Sequence, residues 1–118
     1  MKLAVAILIS GSGSNMVELV KSMHNKHPAF PSVVISNKSD AAGLKKAEDL
    51  GVPTVFIDPH YVKKNSLDFE KELIQVLHLY NTEIICLAGF MKILSKSFIE
   101  NFKDRILNIH PSLYLKLL

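Results

Sequence analysis

Apolar runs of strand length alternate with stretches of helical periodicity along the chain, and this alternation limits the fold more than any other feature. Leu3 to Ile9 is unbroken apolar sequence, the composition of a strand buried on both faces. The turn Ser10-Gly11-Ser12-Gly13-Ser14 follows. Met16, Leu19, Val20 and Met23 then recur at helical spacing, with Asn15 placed to cap and Glu18 three residues on. Pro28 and Pro31 break the pattern before a short second strand, Val33-Val34-Ile35, which closes at Ser36-Asn37. Ser39 or Asp40 can cap a second helix whose apolar stripe is Ala41, Leu44, Ala47 and Leu50, stopped by Gly51 and Pro53. Thr54 to Ile57 reads as a third strand. A helix from about Ser66 buries Phe69, Leu73, Val76, Leu77 and Tyr80, with Asp68 and Glu70 complementing its positive end. Glu83 to Ala88 is a fourth strand, the stretch to Phe102 a short helix, and Ile106 to His110 a fifth strand.

Alternation of this kind implies right-handed crossovers and a largely parallel sheet. With 118 residues, the reading is one domain spanning 1–118, with no repeats or linkers. The composition, 48% hydrophobic and 21% charged, is that of an ordinary globular protein. A net charge of +3, with acidic and basic residues interspersed, argues against a nucleic-acid binder but suits a small anionic substrate. The single cysteine, Cys86, excludes an internal disulfide and lies in Ile84-Ile85-Cys86-Leu87-Ala88, where a buried inert thiol is expected. The apolar start lacks a clear cleavage site and flows into a Gly-Ser turn, and nothing approaches the length of a membrane span. A reduced cytoplasmic setting with no membrane partner is therefore expected.

Ligands of open parallel sheets bind beyond the carboxyl ends of the strands, and three segments with chemical character fall there. In the first, Gly11-Ser12-Gly13 fails the dinucleotide pattern because position 16 is Met, and no Gly-Lys-Ser/Thr follows to make a Walker A loop. What remains suits one phosphate at a helix amino terminus, or is simply a serine-rich turn. The second, Gly89-Phe90-Met91-Lys92-Ile93-Leu94, reads either as core or as an apolar slot for a flat heteroaromatic ligand. In the third, Asn108 and His110 stand two apart on a strand and so share a face, where an amide and an imidazole can stabilise an oxyanion. Pro111 should end that strand and leave His110 at its edge. Ser112 lacks the glycine elbow of a triad nucleophile. His24 and His27 lie three apart with no third ligand, so surface histidines are expected and no metal is called for.

In this order, Ile9-Ser10-Gly11-Ser12-Gly13-Ser14-Asn15, Leu87-Ala88-Gly89-Phe90-Met91-Lys92-Ile93-Leu94-Ser95 and Leu107-Asn108-Ile109-His110-Pro111-Ser112-Leu113 resemble phosphoribosylglycinamide formyltransferase. Ser36-Asn37-Lys38 with Asp40, Ala41 and Gly43 also looks like the family's segment after its second strand. The resemblance covers essentially the whole chain and about the amino-terminal half of the family's length. It implies a Rossmann-like open sheet, largely parallel with helices on both faces, lacking the carboxyl-terminal part of the family fold. It also implies formyl transfer from 10-formyltetrahydrofolate, a cosubstrate, to the amine of phosphoribosylglycinamide in purine synthesis. By the same resemblance Gly13, Ser14 and Asn15 would hold the substrate phosphate. Met91, Lys92, Ile93 and Leu94, with Asn108, would border the folate, and Asn108 and His110 would act on the formyl carbonyl.

Lys92 stands where many relatives carry Arg, which keeps the charge and loses the planar fork. An expected folate-contacting Arg is replaced near Ser66 by Ser66 itself or by Lys63 or Lys64. The chain departs from the family after Leu113, reading Tyr114-Leu115-Lys116-Leu117-Leu118, and the family's catalytic Asp has no counterpart. The expectation is a truncated formyltransferase of impaired activity whose incomplete sheet leaves an exposed edge open to self-association. Two other readings stay open. One is a methionyl-tRNA formyltransferase or formyltetrahydrofolate hydrolase, and the other a catalytically inactive binding fragment.

Overall fold

The computed structural model describes residues 2–59, 66–109 and 115–117, with backbone alone at 66–68 and 115–117. Its elements run β1 (Leu3–Ile9), α1 (Ser14–Ser22), β2 (Ala29–Ser36), α2 (Ala42–Asp49), β3 (Thr54–Phe56), α3 (Ser66–Leu79), β4 (Ile84–Leu87), α4 (Lys96–Asn101), β5 (Ile106–Ile109) and β6 (Leu115–Leu117). One sheet holds the strands in the order β3-β2-β1-β4-β5-β6. Every neighbouring pair from β3 to β5 is parallel, and β6 returns antiparallel along β5. The expected Rossmann-like sheet is thus observed.

β1 is central because its sequence permits nothing else: Ala6, Ile7, Leu8 and Ile9 have no exposed surface. Successive side chains alternate between two apolar layers. Ala6 and Leu8 join Phe69, Leu73 and Leu77 of α3 and Phe98 of α4. Ile7 and Ile9 join Met16 and Val20 of α1 and Ala47 of α2. Helices therefore cover both faces, α1 and α2 on one and α3 and α4 on the other.

Several local expectations are corrected. β2 begins at Ala29 and runs through Pro31, whereas a break there was expected. Pro31 has no N–H to give, and the pairing skips a residue, since Val5 faces Pro31 and Ala6 faces Val33. The bulged residue, Ser32, turns its hydroxyl to donate to the Val5 carbonyl at 3.1 Å and so replaces a ladder donor. The third strand ends at Phe56, one residue short of the reading. α2 buries Gly43 and Ala47, while Leu50, expected on the stripe, lies past its end and is exposed. Neither Ser39 nor Asp40 caps it; Ala41 holds that place with no side-chain cap. The predicted stop is correct: Gly51 at φ 78° donates to Glu48 O and Val52 to Ala47 O, the paired bonds of a left-handed helix end.

β6 was not foreseen. The tail Leu115–Leu117 pairs with β5, Leu107 facing Leu117 and Ile109 facing Leu115, so β3 and β6 are the edge strands. Among the described residues no helix is long and apolar enough to cross a membrane.

Cys86 lies in the apolar layer on β4, and burial pushes its thiol up to about 11. The group should therefore stay protonated at neutral pH and be alkylated by iodoacetamide far more slowly in the folded chain than in urea. Because its folded pKa exceeds the ordinary 9.0, the unfolded chain loses this proton first as pH rises. The Cys86 contribution to stability is present below pH 9 and falls away between pH 9 and about 11. Denaturation midpoints of wild type and Cys86→Ala should accordingly converge across that window.

Candidate active site

The strand order places β2 on one side of β1 and β4 on the other, so the chain leaves β1 at the point where the sheet reverses its winding. The loops after β1 and β4 leave the sheet there side by side, the Met91 N–H donating to Ser10 Oγ at 2.7 Å, as the two walls of the candidate site. Two of the three segments singled out in the sequence are those walls.

The first wall is the loop from Ser10 into α1. Gly13 occupies the cap position of α1 at φ 74° and ψ 20°, a left-handed conformation that favours glycine, and makes no side-chain cap. Asn15, expected to cap the helix, lies within its first turn, half-buried, beside an exposed Ser14. The first intrahelical bond runs from Val17 N to Gly13 O at 2.8 Å. The N–H groups of Ser14, Asn15 and Met16 precede it and have no partner within the helix, as at any uncapped amino terminus. They converge with the positive end of the helix dipole, the arrangement that suits an anionic oxygen.

A close backbone approach holds this loop in place. Gly43 of α2 donates its N–H to Gly11 O at 3.0 Å. A Cβ on Gly43 would stand 2.5 Å from Ile9 Cδ1 and 3.1 Å from Gly13 Cα, and a Cβ on Gly13 would stand 2.8 Å from Gly43 Cα. Two glycines 30 positions apart are thus needed as a pair. The sequence placed Gly43 in a family-like segment; the reason for it is this contact.

The second wall is the loop between β4 and α4. Its side chains divide sharply: Met91 and Ile93 are 78% and 91% exposed, whereas Leu94 is buried with Phe69 and Phe98. Phe90 is half-buried against the same layer, and Lys92 carries its Nζ 5.0 Å above the Phe69 ring. Of the four residues read as bordering a ligand, two therefore face outward, one spans the surface and one anchors the loop. Glu70 supplies the other anchor. Expected as a complement to the dipole of α3, it is instead 4% exposed and accepts from Ser95 N at 2.7 Å and Ser95 Oγ at 2.6 Å. Ser95 Oγ in turn accepts from Phe98 N at 3.1 Å and so caps α4. The sequence did not reveal this clamp, although the Ser-x-x start of the helix was there to be read.

Asn108 lies on β5, in register with Leu87 of β4 and Lys116 of β6, half-buried at the carboxyl end of the strand. It is thus next to the strand that leads into the second wall. His110 lies outside the described residues, as do Lys63 and Lys64. His27, weighed as a metal ligand, accepts from Ala29 N through Nδ1 at 3.0 Å and closes the turn into β2. A Gly43→Ala chain should lose about 1–3 kcal/mol of stability in urea denaturation, because the added methyl meets Ile9 and the Gly13 backbone at once. A loss below about half that would mean the two loops can separate freely.

Comparison with known proteins accords with this geometry. A family profile described as formyl transferase matches residues 3–116. The Escherichia coli phosphoribosylglycinamide formyltransferase is 38% identical over 117 residues, covering 95% of this chain and 53% of that protein. The human trifunctional purine biosynthetic protein adenosine-3 is 45% identical over 113 residues, 95% of this chain and 11% of its own length. Among solved structures, phosphoribosylglycinamide formyltransferase from Brucella melitensis superposes with a TM-score of 0.86 at 38% identity, covering 94% of this chain and 58% of that one. The Coxiella burnetii enzyme gives 0.87 at 35% identity, over 94% and 52%. The chain thus spans about half the length of the single-function relatives it matches. Sequence and fold agree over nearly all of its length, and the chain belongs to the formyl transferase family.

Proposed function

We propose that this chain carries the amino-terminal part of a site that transfers a formyl group from 10-formyltetrahydrofolate to the amine of phosphoribosylglycinamide. One observation above all supports the reading: an uncapped helix terminus and an exposed apolar loop follow neighbouring strands and are joined by the Met91 N–H on Ser10 Oγ, with Asn108 at the adjacent strand end. The Escherichia coli and Brucella melitensis relatives, whose names are phosphoribosylglycinamide formyltransferase, point the same way.

In this reading the substrate phosphate sits on the backbone N–H groups behind Gly13, with Ser14 and Asn15 adding side-chain donors. Met91 and Ile93 form the apolar wall for the folate ring, Leu94 backs that wall from the core, and Lys92 offers the one charge of the segment. The substrate amine attacks the formyl carbon, and the carbonyl oxygen becomes an oxyanion. Asn108 donates to that oxygen through its amide, and His110 serves as the second donor or as the proton carrier. The carbon–N10 bond then breaks, a proton removed from the amine reaches N10, and the products are the formylated amide and tetrahydrofolate. The nucleophile is the substrate's own amine, so the step calls for no protein nucleophile and no metal. A reduced, cytoplasmic setting belongs to the same reading and is supported by the free, buried Cys86. Self-association through an edge strand, β3 or β6, is a further part of it.

Transfer from 10-formyltetrahydrofolate to phosphoribosylglycinamide should be detectable by the absorbance of the tetrahydrofolate product. Asn108→Ala should lower it about 10²–10³-fold through loss of one oxyanion donor. Formylation of initiator methionyl-tRNA in preference to the small amine would replace this reading with the tRNA enzyme. Binding of both substrates without turnover would favour an inactive binding module.

A further inference from the structure

We propose that Ser10 is a positioning residue for the folate wall, a role that rests on the formyl-transfer reading above. Ser10 is the first polar residue after the apolar run of β1 and is 6% exposed. Its hydroxyl donates to Asn37 Oδ1, beyond β2, at 2.6 Å. The same oxygen accepts the backbone N–H of Met91, beyond β4, at 2.7 Å. One hydroxyl therefore joins the ends of three strands, across 27 residues in one direction and 81 in the other.

The consequence for the two walls is unequal. The phosphate loop is held by the Gly43 N–H on Gly11 O and by the Gly13–Gly43 backbone contact, neither of which passes through the Ser10 side chain. The stretch from Met91 to Leu94 is instead held at Met91 N by Ser10, at Ser95 by Glu70 and from below by the buried Leu94. The side chains of Met91 and Ile93 are themselves exposed, so their own burial does not hold them. Removing the hydroxyl strips Met91 N–H and Asn37 Oδ1 of a partner together and frees one end of the segment. The folate side of the site should then drift relative to the phosphate side.

This separates positioning from simple stabilisation. A residue that only supports the fold would affect both ligands alike or neither. Ser10→Ala should weaken 10-formyltetrahydrofolate binding about tenfold, equivalent to about 1.4 kcal/mol, and leave phosphoribosylglycinamide binding within about twofold, both read by calorimetry. Amide exchange at Met91 should accelerate in the same variant, while the Ala88 amide, bonded to Leu8 O, keeps its protection. Should Ser10→Ala not fold, Ser10→Thr carries the test. It keeps the hydroxyl and should retain both Met91 protection and folate affinity to within about threefold, and lost folate affinity with the hydroxyl present would overturn the role. Unchanged folate affinity in a folded Ser10→Ala chain, or equal losses for both ligands, would also overturn it. A wild-type chain that binds neither ligand would instead overturn the formyl-transfer reading, and the positioning role with it.

Discussion

Everything in this molecule is arranged around β1. Its four residues from Ala6 to Ile9 have no exposed surface, so each face of the strand must be covered and each edge paired. That single demand calls for helices on both sides of the sheet and sets β2 and β4 against opposite edges of β1. The candidate site follows from the same arrangement, because ligands of open parallel sheets bind beyond the strand ends where the strand order reverses. The burial that stabilises the fold and the place of the candidate site thus have one cause.

Polar chemistry begins where that burial ends. Ser10 is the residue at which β1 stops being wholly apolar, and its hydroxyl meets both neighbouring strand ends. Farther along, Gly13 and Gly43 let two backbones approach more closely than any side chain would allow. On the other wall the buried Glu70 carboxylate fixes Ser95 and thereby the start of α4. Burying a carboxylate is costly unless it is well paired, and here both oxygens have a donor from the same residue. The walls are loops in name, yet each is tied to distant elements by hydrogen bonds.

Much of this was legible in the sequence, for identifiable reasons. The helical spacing of Phe69, Leu73 and Leu77 located α3, and all three are buried. Gly51 located the end of α2 because its positive φ favours glycine. The candidate loops were singled out because strand ends in such sheets are where ligands bind. What escaped had tertiary causes. Pro31 suggested a break, and only the Ser32 hydroxyl shows how the strand continues through it. Gly43 carries no side chain, so its burial leaves no hydrophobic signal. Glu70 looks like a surface charge until Ser95 is folded against it. The pairing of β6 with β5 needed the partner strand to be in place, and Leu115-Lys116-Leu117 alone is too short to announce it.

The central claim is that the two walls bind the two substrates separately and side by side. Amide chemical shifts of the labelled chain, recorded during separate titrations, test it most directly. Phosphoribosylglycinamide should move the Gly13, Ser14 and Asn15 amides, 10-formyltetrahydrofolate should move those of Met91 to Leu94, and the two sets should meet only near Asn108. Shifts from either ligand confined to residues away from the site, or both ligands competing for the same wall, would contradict the account.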